Sequence, residues 1–197
     1  FAGIAWGMSG ACGQYLMAHG MSVLALTDLR LMISGVCLLA MSYVFTRGQL
    51  VAFFKEKKNY AKITLFAFIG LFMNQYTYLE AIHLSNAGTA TVLQYLCPVI
   101  ILVYMCLKNR TAPTTSEVMS IILAMAGTFL IATHGQLNQL SVTPLGLFWG
   151  ISSAFTYAIY IMLPIKLIQE YGSLTVIGVG MVIAGVILFP MSGLTTL

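Results

Sequence analysis

Seven stretches long enough to cross a bilayer, set end to end with short polar breaks, constrain this chain more than any other feature. They cover residues 1–18, 24–45, 61–83, 88–107, 116–133, 145–168 and 174–191. A hydrocarbon core of about 30 Å takes about 20 apolar residues of helix, whereas barrel strands run about 10 residues with alternating polarity. No such alternation occurs, so the sequence predicts an all-α polytopic membrane protein. Only 7% of the 197 residues are charged, against about 25% in soluble domains. That is too few to clothe a soluble enzyme, a secreted domain or a disordered tail. The net charge of +4, confined to a few loops, excludes a nucleic-acid-binding surface.

The loops separate by charge. Arg47, Lys55, Lys57, Lys58 and Lys62 follow the second stretch, Lys108 and Arg110 the fourth, and Lys166 the sixth. The alternate loops (19–23, 84–87, 134–144) carry no Lys or Arg. Eight of nine basic residues thus lie on one side, which the positive-inside rule makes cytoplasmic, together with the start of the chain. Cys12, Cys37, Cys97 and Cys106 are scattered through apolar segments with no metal-ligand spacing, and read as core residues. No metal or other cofactor is expected.

An internal repeat sets the expected architecture. Gly3, Trp6, Gly7, Ser9 and Ala11 recur as Gly146, Trp149, Gly150, Ser152 and Ala154 at a constant offset of 143. Past a seven-residue insertion, 31–38 falls on 181–188, aligning Gly35 with Gly185 and Leu38 with Leu188. The sixth stretch therefore restarts the first. A repeat with an odd number of helices enters the membrane from the opposite side the second time, an arrangement found in secondary transporters. Residues 1–143 read as one five-helix repeat and 144–197 as the start of a second. A complete second repeat adds three helices after Leu197, so the chain reads as seven transmembrane helices of ten, part of a longer protein.

These motifs resemble those of the EamA-type transporters of the drug/metabolite transporter superfamily. The likeness lies in the ordered set: Gly3…Trp6-Gly7, Arg30, the segment Glu80-Ala-Ile-His-Leu-Ser-Asn-Ala-Gly-Thr-Ala90, Pro98, Gly127 and Gly146…Trp149-Gly150. The resemblance implies a ten-helix metabolite exporter of a bacterial inner membrane with cytoplasmic termini. Substrates in that family range from amino acids to vitamins, sugars and drugs.

Candidate functional residues fall into two sets. Asn74 and Tyr78 share a face with Gly70, and Thr91, Gln94, Tyr95 and Pro98 recur at i, i+3, i+4 and i+7. Asn and Gln are costly against lipid, so both faces are expected to look inward. Trp6, Gly10 and Gln14 correspond by repeat to Trp149, Ser153 and Tyr157, giving two aromatic-plus-polar faces suited to a central cavity. For the two Trp residues, interfacial anchoring is the competing reading. Pro98 frees a mid-membrane carbonyl, as gating helices do. The second set is charged or titratable. Arg30 lies about 9 Å into its helix at 1.5 Å per residue, and Glu80 lies at a similar depth, so a pair between them is geometrically allowed. That pair reads as an outer gate, an anion or coupling site, or structural glue. Asp28, Glu80 and His83 are the candidates for proton coupling.

Other signals carry less. Gly7-Met-Ser9-Gly10 matches a GxSG intramembrane-protease motif, but His19, His83 and His134 all stand at outer helix ends, and Ser needs an adjacent base. No enzyme is expected. Asn109-Arg-Thr111 is a glycosylation sequon on the cytoplasmic side. The basic run 55–58 beside 50–54 reads as positive-inside anchoring or contact with anionic lipid. No phosphate-binding glycine loop occurs. The functional expectation is a secondary transporter or facilitator of a small metabolite acting by alternating access. The alternative is a seven-helix receptor or sensor, although the seventh stretch has no Lys for a retinal linkage. The expected partners are substrate and bilayer, with a homodimer as a candidate assembly.

Overall fold

Helices occupy nearly all of the computed structural model, which describes residues 2–133 and 143–192, with the side chains of residues 2, 4–6 and 131–133 outside the described set. In chain order they are α1 (Ala2–Ala18), α2 (Val23–Phe45), α3 (Arg47–Lys55), α4 (Lys58–Leu65), a π-helical segment (Phe66–Phe72), α5 (Met73–His83), α6 (Ala87–Gln94), α7 (Cys97–Asn109), α8 (Thr115–Thr133), α9 (Pro144–Met162), α10 (Ile165–Tyr171), α11 (Ser173–Leu188) and a closing 3₁₀ turn (Phe189–Met191). Among the described residues, four spans are long and apolar enough to cross a membrane: Val23–Phe45, Ala87–Asn109, Pro144–Tyr171 and Ser173–Met191. Their exposed faces are apolar: Ile33, Val36, Val44 and Phe45 on α2, and Phe148 and Phe155 on α9, stand out from the protein. An outward-facing surface of this kind suits lipid, not water.

Short polar residues start these helices. Ser22 caps α2, its hydroxyl accepting from Ala25 N–H at 3.2 Å, and Asn86 caps α6 through Thr89 N–H at 2.8 Å. Thr114 and Glu117 cap α8 reciprocally, Glu117 N–H donating to Thr114 Oγ1 at 3.3 Å and Thr114 N–H to Glu117 Oε2 at 2.8 Å. Thr143 caps α9 ahead of Pro144, accepting from Gly146 N–H at 3.0 Å.

The chain divides into two compact units, Phe1–Tyr15 with Thr77–Ala158, and Leu16–Tyr76 with Ile159–Leu197. The second unit is organised around a seam between α2 and α11. A Cβ placed on Gly35 would meet the backbone nitrogen of Val182 at 2.9 Å, and one on Gly178 the backbone nitrogen of Leu39 at 3.2 Å. A Cβ on Gly185 would meet the Met32 sulfur at 2.5 Å. These three glycines let two backbones approach closely, the small-residue packing by which helices associate in lipid. Ser42 and Thr175 exchange a hydroxyl–hydroxyl bond of 2.8 Å in the same seam.

Two features of this unit escape the hydropathy pattern. Residues 47–55 form a helix, α3, where only a loop is expected. Its nine residues are too few for a span, and it is fixed by Phe53, which is buried edge-on against Tyr171 at 5.3 Å. Phe66–Phe72 winds as a π-helix, Phe66 stacking on Tyr160 at 5.8 Å while Gly180 leaves room for Phe66 and Leu71. The longer turn carries Gly70 toward Phe66 and Tyr160, so the expected face of Gly70, Asn74 and Tyr78 is not one straight stripe. At the basic edge, the Lys58 ammonium lies 2.7 Å from Glu56 Oε2 and holds that exposed carboxylate below its usual range. Such a pair adds little stability.

In the first unit, Cys97, Ala154 and Ala158 form a small core with Ile100, Ile101 and Tyr157 against it. Leu93 fills the space over Gly150, and Thr143 Oγ1 donates to the Leu84 carbonyl at 3.3 Å, tying the start of α9 to the end of α5.

Replacing Gly35 by Val drives a side chain into the α11 backbone. Overpacking of this kind costs about 1–3 kcal/mol. Thermal unfolding of the detergent-solubilised protein is expected to shift downward by several degrees for Gly35→Val. Gly48→Val on α3, where nothing lies within 4 Å, is expected to leave the midpoint in place.

Candidate functional site

The polar residues expected to line a cavity come together mainly in the first unit, around the start of α6. The first N–H groups of a helix have no partner within it. Here Asn86 takes one of them, and Gln14 of α1 takes another, its Oε1 accepting from Ala87 N–H at 3.3 Å. Tyr78 is buried, and its hydroxyl lies 3.0 Å from Thr91 Oγ1. Thr91 donates to the Ala87 carbonyl at 2.6 Å, so the phenol is the donor in the Tyr78–Thr91 bond. Gly10 sits beside both: a Cβ there would stand 3.7 Å from the Tyr78 hydroxyl and 3.8 Å from Ala87. Residues from α1, α5 and α6 thus meet at one helix start.

One turn further along, the helix breaks. Pro98 has no N–H to offer the carbonyl of Gln94, and α6 ends there, with α7 restarting at Cys97. The break also ends the expected polar stripe. Gln94 is 5% exposed, whereas Tyr95 is 49% exposed and Pro98 stands outward. On α9, Ser153 is fully buried and donates to the Gly150 carbonyl at 2.7 Å, while Tyr157 packs half-buried on the Cys97–Ala154 core. Trp149 is half-buried, edge-on to Phe148 at 5.5 Å. The Trp6 side chain lies outside the described residues.

Thr77 and Thr156, not singled out in the sequence, join their hydroxyls at 3.0 Å between α5 and α9. A threonine in an apolar helix gives no periodic signal, because its hydroxyl bonds its own preceding turn; Thr156 donates in this way to Ser152 and Ser153 carbonyls at 3.1 Å. The surface so built is neutral: amide, hydroxyl, phenol and indole groups. It can recognise a small polar molecule by hydrogen bonds and ring contacts. No cluster able to hold a metal ion occurs among the described residues.

The charged candidates are divided. Glu80 is half-buried and His83 exposed in the last turns of α5, in the first unit. Asp28, Arg30 and Asn74 stand in the second unit, where Asp28 is fully buried, Arg30 half-buried and Asn74 buried.

The EamA-like transporter family model matches residues 1–133, two-thirds of the chain. The chain belongs to the EamA-like transporter family. It is 40% identical over 190 residues to the uncharacterized inner membrane transporter YicL of Salmonella typhimurium, a match covering 96% of this chain and 63% of the relative. The chain therefore spans under two-thirds of that relative's length. No solved structure matches it significantly. Membership of this family agrees with the apolar helices and makes the chain part of a multi-pass membrane protein. It does not favour the receptor reading.

Removing the phenolic hydroxyl by Tyr78→Phe deletes one interhelical hydrogen bond, worth about 0.6 kcal/mol in membrane proteins. A small drop in unfolding midpoint is expected. A double-mutant cycle of Thr77→Val with Thr156→Val is expected to show a coupling energy of that same order; additive effects would place those hydroxyls outside a shared bond.

Proposed function

We propose that the parent protein is a secondary transporter that exports a small metabolite, an amino acid or a related compound, by alternating access. Two inverted five-helix repeats form it, with residues 1–143 the first and 144–197 the start of the second. The observation that carries this reading is a reciprocal contact in the α2–α11 seam. At the repeat offset of 150, Gly35 corresponds to Gly185 and Met32 to Val182. Gly35 seats against Val182, and Gly185 seats against Met32. Each glycine meets the repeat counterpart of the residue that its own counterpart meets, the pattern a two-fold axis produces. Two repeats of opposite orientation are related by such an axis in the membrane plane. The greater length of the Salmonella relative supports a second repeat that continues past this chain, for ten helices in all.

Gln94, Tyr157, Trp149 and the Tyr78–Thr91 pair are the proposed substrate contacts of the first unit, with the α6–α7 break at Pro98 as the flexible element beside them. Arg30, in the other unit, is proposed as a gating or anion-binding group. The uneven loop charge supports a cytoplasmic start of the chain. The full-length protein in proteoliposomes is expected to move at least one compound of a broad panel of amino acids, vitamins and sugars; movement of none would sink the reading. Gln94→Leu and Tyr157→Phe are each expected to slow that flux about tenfold, the equivalent of about 1.4 kcal/mol and one buried hydrogen bond. Arg30→Gln is expected to abolish flux while insertion is retained.

A further inference from the structure

Among the described residues, Asp28 is a carboxylate that the fold encloses with little provision for its charge. It is fully buried, and neither of its oxygens has a hydrogen-bond partner among the described residues. It lies in the sixth position of α2, on the side toward α11: a Cβ on Gly185 would stand 3.4 Å from Asp28 Oδ1. Residues 173–192, which supply α11 and the closing turn, contain no Asp, Glu, His, Lys, Arg, Cys or Tyr. The nearest charge on its own helix, Arg30, is two residues on and therefore on another side of α2. Ser192 of the closing turn lies beside the carboxyl, and its hydroxyl donates to the Phe189 carbonyl at 2.8 Å. An uncompensated charge in such a place is costly, and a group there takes a proton instead.

The repeat sharpens the point. At the same offset of 150 the counterpart of Asp28 is Gly178, packed against Leu38 and Leu39. The seam accepts a residue with no side chain at that position in its second copy. Packing therefore does not call for a carboxyl in the first.

We propose that Asp28 is a proton-binding site: it carries a proton while the α2–α11 seam is closed over it and exchanges that proton with water when the seam opens during transport. The proton balance is simple, one proton taken up from one side by the carboxylate and released to the other by the acid. Its link to export rests on the transporter reading above; its existence as a proton site does not. The full-length protein in liposomes at neutral pH is expected to show the infrared C=O stretch of a protonated carboxylic acid. That band should disappear in Asp28→Asn and shift in Asp28→Glu. Absence of the band in the native protein, or its survival unchanged in Asp28→Asn, overturns the proposal. Where Asp28→Asn does not fold, the shift in Asp28→Glu decides. In flux assays, an inward proton gradient is expected to accelerate export at least tenfold in the native protein and not in Asp28→Asn. Export that ignores the proton gradient, or follows a sodium gradient instead, removes the coupling role and leaves the exporter reading standing. Should no panel compound move, the exporter reading fails and the infrared band alone decides the site.

Discussion

A backbone-to-backbone approach that only glycine permits holds α2 against α11, and much of the second unit is arranged around it. In lipid the hydrophobic effect gives helices little reason to associate, so close van der Waals contact and a few interhelical hydrogen bonds must suffice. Gly35, Gly178 and Gly185 supply the contact, and the Ser42–Thr175 bond lies in the same seam. The same closeness seals Asp28 from solvent. A wider seam would admit water to the carboxyl, and a side chain at 35 would meet the α11 backbone. Stability and the proposed proton site thus depend on one geometric fact.

The first unit solves a different problem. Its helices are interrupted, and each interruption leaves backbone groups that need partners outside their own helix. The start of α6 is met by Asn86 and Gln14, the start of α9 by Thr143, and the loss of a hydrogen bond at Pro98 by ending one helix and beginning another. Polar side chains gather where the backbone is broken.

Much of the helical pattern was legible because apolar length is a direct physical requirement of the bilayer. The expected stretches 24–45 and 61–83 and the helices Val23–Phe45 and Lys58–His83 differ by a few residues at their ends. What hydropathy could not reveal was local. The π-turn at Phe66–Phe72 depends on Phe66 meeting Tyr160, about ninety residues away in sequence, and α3 depends on Phe53 meeting Tyr171. In the site, Gln94 reads inward and is buried, because a primary amide is costly in lipid. Tyr95 does not follow it, because the helix on which the i, i+3, i+4 rule relies ends between them. The buried state of Asp28 was equally invisible: two charged residues at i and i+2 look alike in sequence, and only the α11 glycine shows which one is enclosed.

Opposite orientation of the two repeats is the claim on which the rest of the functional account turns. Cysteine labelling tests it directly, with single cysteines placed at His19, after α1, and at Lys166, in α10, in a full-length background freed of Cys12, Cys37, Cys97 and Cys106. A membrane-impermeant maleimide applied to intact cells should label the cysteine at 19 and reach the one at 166 only after permeabilisation. Labelling of both from the same side would contradict the account.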